Sequence, residues 1–350
     1  MPRGRTFAVR PRSALRWVGF LVTALFIYLI VRKVDVHAAV AAARDSNPLF
    51  LLPAFVWLAI AVFLRAVRWR YLFDRATRPP LGAVVDALLI GYLFNNLLPA
   101  RAGEAARVVA LHRSSASSRA VVTATVVVER AFDVITLVAL LFAASPWLPS
   151  VSWAGSAAIF AGVVGLACVI LVAGLGLWGP KPVAFLFRPL ALLPFLTPAQ
   201  IRSAATNLVR GIAAFRRPRI VVGAIFWTTL SWFALAISTW FVLRAFDLGL
   251  SPLAGLLCVI AINLAMILPS SPAAVGVFEA ATLVALSAYD VPRPEALSAA
   301  VILHLLNLVP YLVAGAIVLQ LQLRRQGPGG RPLLRGRPTP GDPKTSFEPD

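Results

Sequence analysis

Apolar runs separated by clusters of arginine organise this chain. The runs at 49–67, 121–142, 157–178, 221–243 and 299–321 approach the length of about 20 residues that a membrane-spanning helix needs. An earlier run, 17–31, lies between Arg3, Arg5, Arg10, Arg12 and Arg16 on one side and Arg32 and Lys33 on the other. Charges directly behind the apolar core disfavour a cleaved leader, so a retained first helix is expected. Two further runs are interrupted. The first, 82–113, holds Asn95, Asn96, Pro99, Arg101, Gly103, Glu104 and Arg107. The second, 253–289, holds Asn263, Pro269, Ser270, Ser271, Pro272, Gly276 and Glu279. Proline and glycine break helices, and broken backbone at membrane depth normally lines a cavity. Each interrupted run is therefore read as a broken segment, the first with Pro99 and Gly103 near the tip of its hairpin.

The arginines set the topology, because basic loops stay in the cytoplasm. Arg65, Arg68, Arg70, Arg75 and Arg78 precede the first broken run, and Arg107, His112, Arg113 and Arg119 close it. Two basic flanks predict a re-entrant hairpin opening inside. Counting spans places both ends of the second hairpin outside. The order span, hairpin, span recurs over 49–142 and 221–321, and together these predict an inverted repeat. Accidental kinks in ordinary helices are the competing explanation. The stretch 181–219 puts Ile201, Leu208, Ile212 and Phe215 on one helical face and Arg202, Thr206, Arg210 and Arg217 on another. That reads as an amphipathic helix on the inner membrane surface, or else a soluble helical hairpin.

Composition agrees. Of the 350 residues, 59% are hydrophobic and 13% charged, and the mean hydropathy is +0.83. Soluble domains carry about 25% charged residues. The fold class is therefore all-α: a polytopic membrane helical bundle. The net charge of +19 would suggest nucleic acid in a soluble protein. Here it reads as topology and attraction to anionic headgroups, with no nucleic-acid partner. The domains expected are a basic cytoplasmic N-terminus (1–14), a transmembrane domain (15–322) and a disordered Pro/Gly-rich tail (323–350). Both termini are expected inside. Cys168 and Cys258 sit in apolar runs and read as core residues.

Charges inside a bilayer cost at least about 2.5–3.5 kcal/mol each and need a partner. Glu104 and Arg107 are helix neighbours at i,i+3; they form either an interfacial salt bridge or a lining for a charged headgroup. Glu129, Arg130 and Asp133 lie well inside the span 121–142. They are expected to meet Arg101 or Arg107 in a buried ion network, structural or transporting. In the last span, His304 reads as a hydrogen-bonded core residue or a site group, with Asn307 and Tyr311 further along the same face. Histidines are few and scattered, and no phosphate loop, CxxC or nucleophile elbow occurs. No metal, cofactor or catalytic residue is expected.

At these residues the chain resembles a known family, the flippase-like transmembrane region of lysylphosphatidylglycerol synthases. The resemblance rests on Arg65 to Trp69, Gly91 with Asn95 to Arg107, Glu129-Arg130 with Asp133, and Leu268 to Glu279, in order over 15–322. His304 departs from the family, where arginine is frequent. The resemblance implies a protein that moves or holds a membrane lipid. In the synthases this region flips aminoacylated phosphatidylglycerol, which a soluble transferase domain makes. Only a short tail follows residue 322 here, so no such enzymatic activity is expected. The substrate implied is an anionic or aminoacylated phospholipid, or a polyprenyl-linked or glycolipid, in a prokaryotic cytoplasmic membrane. The substrate-binding set expected is Asn95, Asn96, Arg101, Glu104, Arg107, Asn263, Ser270, Ser271, Glu279 and His304. Two alternatives stay open: a scaffold for a partner lipid-modifying transferase, and a membrane-embedded transferase.

Overall fold

The computed structural model describes residues 46–75, 78–98, 102–149, 218–266 and 272–325, with isolated helical positions elsewhere. The expected first helix, the amphipathic stretch 181–219 up to residue 217, most of the span 157–178, Cys168 and the tail after 325 lie outside the described residues. So do Pro99, Arg101, Pro269, Ser270 and Ser271. The described residues are helical, with eight α-helices and two single 3₁₀ turns.

Helix α1 (Pro48–Tyr71) starts on Asn47, whose side chain accepts from the Leu49 N–H at 3.1 Å. Proline at its first position costs nothing there, since that N–H has no helical partner. Helices α2 (Leu81–Leu97) and α3 (Gly103–Ser114) flank the first break. Helix α4 (Arg119–Ala144) is capped by Ser118, which accepts from Val121 N–H at 3.3 Å. After α5 (Pro218–Ala245) come α6 (Pro252–Ala265) and α7 (Val277–Ser287), which flank the second break, and α8 (Arg293–Arg325). The order long, short, break, short, long thus occurs twice.

Three of these helices, α1, α5 and α8, are long and apolar enough to cross a membrane. Helix α4 has 26 residues, about 39 Å at 1.5 Å per residue. Only its three central charges set it apart from them. The helices beside the breaks are shorter. With 17, 12, 14 and 11 residues, they reach about 26, 18, 21 and 17 Å. None of the four covers a hydrocarbon core of about 30 Å. Outward faces are apolar: α8 exposes Val309, Val313, Ile317 and Leu321 at four-residue spacing, a stripe suited to lipid.

Helix α1 packs along α5 more extensively than any other described pair. They run antiparallel. Asn47 N–H donates to the Ala245 carbonyl at 2.7 Å at one end, and the Tyr71 hydroxyl to the Arg219 carbonyl at 3.2 Å at the other. Helix α2 folds back on α3, and its other side meets α8, where Tyr92 stacks on Tyr311 at 4.6 Å. Small residues permit these approaches, as in membrane bundles generally. A Cβ on Gly103 would lie 2.0 Å from the Gly91 carbonyl oxygen, and one on Gly315 2.6 Å from that of Leu89.

Candidate functional site

Six charged side chains from α1, α3 and α4 form a closed ring. Arg68 bridges Glu129, at 2.5 Å, and Asp133. Glu129 also accepts from Arg107 at 3.0 Å, and Arg107 reaches Glu104 at 2.6 Å. Glu104 pairs in turn with Arg130, which closes on Asp133 at 3.2 Å. Every arginine touches two carboxylates and every carboxylate two arginines, so the ring carries no net charge. Alternation of this kind satisfies charges that would otherwise be too costly to bury. The Arg130 side chain is 40% exposed and forms the open corner. Trp69 walls the other side; its ring lies 4.8 Å beneath the Arg107 guanidinium, and its N–H donates to Thr125 at 3.0 Å.

Local sequence produces this ring. Glu129 and Asp133 are one turn apart on α4, so both face α1. Gly91 and Gly103 bring α2 and α3 so close that Arg107 lies directly over Gly91. That contact swings Arg107 and Glu104 toward α4.

The ring forms one wall of a cavity of about 330 Å³ between the two halves of the chain. Asn95 and Asn96 enter it from α2, Asn263 from α6, and His304, Asn307 and Tyr311 from α8. Arg65 also points into it, one turn before Arg68. Its guanidinium lies 4.8 Å over the Trp232 ring and donates weakly to the Tyr92 hydroxyl at 3.5 Å. With the ring neutral, Arg65 is a further positive charge in the cavity that no carboxylate among the described residues pairs with. The Asn95 side-chain oxygen is buried there without a hydrogen-bond partner among the described residues.

At the far wall, His304 Nδ1 lies 2.5 Å from Glu279 Oε1, and Nε2 lies 2.8 Å from the Ala273 carbonyl. Glu279 is the third residue of α7, and its other oxygen accepts the Gly276 N–H at 2.7 Å. This carboxylate half of a capping box fixes the start of α7, since Gly276 has no side chain to return the bond. Phe278 stacks on the imidazole with centroids 4.5 Å apart.

The structure thus brings together Asn95, Asn96, Glu104, Asn263 and His304 around one cavity. Arg107 and Glu279 stand one contact behind it. The ion network includes Glu129, Arg130 and Asp133 as described above; Arg101, Ser270 and Ser271 lie outside the described residues. One expectation needs correction. The sequence groups Arg65 and Arg68 with Arg70, Arg75 and Arg78 as a basic flank that fixes topology. Arg68 is instead 1% exposed and central to the ring, and Arg65 faces the cavity. A signal for this exists. Ala54, Leu58, Ala61, Arg68 and Leu72 recur at three- to four-residue spacing or its multiples, and all are buried. Arg68 falls on the packed stripe of α1, whereas Arg75 is exposed beyond it.

Comparison with known proteins places this site in a family setting. The chain is 26% identical over 341 residues to glycosyltransferase AglD of Haloferax volcanii, covering 88% of this chain and 55% of that protein. It is 24% identical over 161 residues to the UPF0104 membrane protein PH1989 of Pyrococcus horikoshii, covering 45% of this chain and 47% of the relative. The chain spans about half the length of these curated relatives. The family model described as lysylphosphatidylglycerol synthase TM region matches residues 16–315. That match covers the described helices up to the middle of α8, including the ring, the cavity and the His304 contact. The chain is therefore a multi-pass membrane protein that belongs to the lysylphosphatidylglycerol synthase transmembrane-region family.

Proposed function

We propose that this protein binds the headgroup of an anionic lipid in the cavity and passes the lipid across the cytoplasmic membrane without chemical change. The observation that carries this reading is Arg65, a cation without a carboxylate partner among the described residues, beside a neutral ring. A phosphodiester carries one negative charge and matches it. Arginine holds such groups by charge-assisted, forked hydrogen bonds, and Trp232 beneath the guanidinium pre-orients it. Asn95, Asn96, Asn263 and Asn307 line the cavity with amides that can serve a polar headgroup. Arg101, which the sequence puts between α2 and α3, would be a second cation for the same phosphate. Ser270 and Ser271 are the polar residues that the sequence puts between α6 and α7.

The route follows from the same reading. The two broken segments are re-entrant hairpins of an inverted repeat, 49–142 and 221–321, within the transmembrane domain 15–322. The antiparallel α1 and α5, first helices of the two halves, support inversion. The half-length of the helices beside each break supports re-entry. In this arrangement the first hairpin opens to the cytoplasm, the second outward, and both termini are cytoplasmic.

The test uses the full chain in phosphatidylcholine vesicles with a fluorescent phosphatidylglycerol, followed by dithionite quenching from outside. Protein should let the whole probe pool be quenched. Losing one charge-assisted contact of about 1.5–3 kcal/mol should slow movement about tenfold or more in Arg65→Ala, with Arg65→Lys between. Vesicles with and without the protein that quench alike would refute translocation. A slow Arg101→Ala beside a normal Arg65→Ala would move the phosphate to the break.

A second reading rests on the relative named as a glycosyltransferase. In it, the chain presents a lipid-linked substrate to a separate lipid-modifying transferase. Binding of the fluorescent lipid without any movement would favour this reading.

A further inference from the structure

We propose that His304, Glu279 and the Ala273 carbonyl form a proton-binding site that latches the turn 272–276 against the cavity, so that lipid passage is coupled to one proton. This deepens the lipid-handling reading and rests on it for its consequence, though not for the proton site itself.

The two ring nitrogens have different neighbours. Nε2 lies 2.8 Å from the Ala273 carbonyl oxygen, which can only accept, so Nε2 carries a hydrogen. Nδ1 lies 2.5 Å from Glu279 Oε1. A hydrogen must lie between these atoms too, since two lone pairs at that distance repel. The closed arrangement thus holds one proton more than a neutral imidazole beside a carboxylate. When that proton leaves to water, one of the two contacts must open. If Nε2 keeps its hydrogen, Nδ1 repels Glu279; if Nδ1 keeps it, Nε2 repels Ala273.

The Ala273 contact is the weaker link. Ala273 and Ala274 have φ of 57° and 56°, the left-handed region that favours glycine, and Gly276 follows at 88°. Alanine occupies such a conformation only when its surroundings hold it. The His304 contact is what holds the Ala273 carbonyl. Glu279 cannot easily follow a moving imidazole, because Oε2 is tied to Gly276 N–H at 2.7 Å. Ala273, Ala274 and His304 all line the cavity, so release of the turn reshapes the wall opposite Arg65.

Other charges leave this proton addressable. Among the described residues of α7, Glu279 is the ionisable group that meets His304, and the α5 residues lining the cavity, Trp232, Leu235 and Thr239, do not ionise. Helix α6 offers Cys258, buried in the apolar core, and the uncharged Asn263. Tyr311 on α8 is stacked on Tyr92 of α2. Across the cavity Arg68, Arg107, Arg130, Glu104, Glu129 and Asp133 neutralise one another. Among the described residues Arg65 remains, and an anion bound there favours the protonated latch. Lipid phosphate and proton would therefore bind together.

The test reads the proton first and the lipid second. The chain has three histidines, so ¹⁵N-histidine spectra of the full chain in nanodiscs, compared with His304→Gln, isolate the His304 ring. In the closed latch both ring nitrogens should carry a hydrogen, and Glu279→Gln should strip one of them. A wild-type ring with one bare nitrogen throughout about pH 5 to 8 overturns the proposal, whatever the lipid assay shows. The latch is read by thiol labelling of Ala274→Cys in a chain lacking Cys168 and Cys258. Labelling should rise about fivefold or more from the acid to the alkaline end of that range, measured relative to the same cysteine in His304→Gln. Equal ratios at both ends overturn the latch. Coupling is read in the vesicles: an imposed pH gradient should change the rate for the fluorescent phosphatidylglycerol, and His304→Gln should abolish that response. A gradient-insensitive wild type overturns coupling and leaves the lipid reading intact. Absence of any probe movement with a normal histidine spectrum defeats the lipid reading alone.

Discussion

At the scale of residues, the ring of three arginines and three carboxylates makes a sharp prediction. Removing one member of a buried pair costs about 3–5 kcal/mol, because a charge is left without compensation. Glu129→Gln should therefore lower the midpoint of thermal unfolding in detergent clearly, since Glu129 serves both Arg68 and Arg107. Adding Arg68→Met should restore part of the loss, although Asp133 then loses a partner. Arg130→Gln should cost much less, because its side chain is 40% exposed and water can replace it. Unchanged unfolding in Glu129→Gln would show the ring to be unimportant. Much of this ring is legible in the sequence. Glu129, Arg130, Asp133, Glu104 and Arg107 stand out because charge inside apolar sequence needs a partner. Arg68 is hidden, because at the end of a span a buried arginine and a topological one look alike. Only its place on the packed stripe of α1 separates them. Arg65 is hidden for the same reason, and its lack of a carboxylate among the described residues is a fact of three dimensions.

At the scale of elements, the first break depends on contact as much as on bending. The sequence alone marks Gly103 as a helix breaker. The structure adds a packing role, since α2 and α3 touch so closely that a Cβ there would lie 2.0 Å from the Gly91 carbonyl and 2.5 Å from the Asn95 backbone nitrogen. Gly103→Ala must push the two helices apart. Overpacking typically costs about 1–3 kcal/mol, and here it also pulls Glu104 and Arg107 away from α4. Loss of thermal stability and of folded yield in size-exclusion chromatography should both follow. Gly82→Ala is the control: it sits in α2, one of the same two helices, and a Cβ there meets nothing within 4 Å. Equal effects of the two changes would mean that helix propensity, not contact, is being measured. Proline and glycine mark where the two runs are interrupted, and α2 and α3, like α6 and α7, lie on either side of those interruptions. The left-handed Ala273 and Ala274 are not predictable in this way, because alanine gives no local sign of that backbone. The tertiary contact with His304 holds the Ala273 carbonyl in place.

At the scale of the whole molecule, the question is whether the two halves are inverted across the membrane. Composition establishes only that the chain is a helical membrane protein; orientation comes from counting arginines. That count is weakened by two, since Arg65 and Arg68 belong to the site and not to a loop. Arg70, Arg75 and Arg78 still flank the end of α1, and Arg113 and Arg119 flank the end of α3. Antiparallel packing of α1 on α5 adds an independent argument. If α1 ends inside, α5 starts inside and α6 begins outside; α7 then ends outside only if the segment from α6 to α7 is re-entrant. Four exposed positions report on this: Arg75 and Ala116 on either side of the first hairpin, and Ser251 and Glu295 on either side of the second. Each is replaced singly by cysteine in a chain lacking Cys168 and Cys258, and whole cells are treated with a membrane-impermeant maleimide. Ser251→Cys and Glu295→Cys should label from outside. Arg75→Cys and Ala116→Cys should label only after the membrane is permeabilised. Paired results within each hairpin, opposite between hairpins, are what inversion demands. Labelling of all four from one side would rule it out. A split within one hairpin would mean that its two short helices cross the membrane as a single broken span.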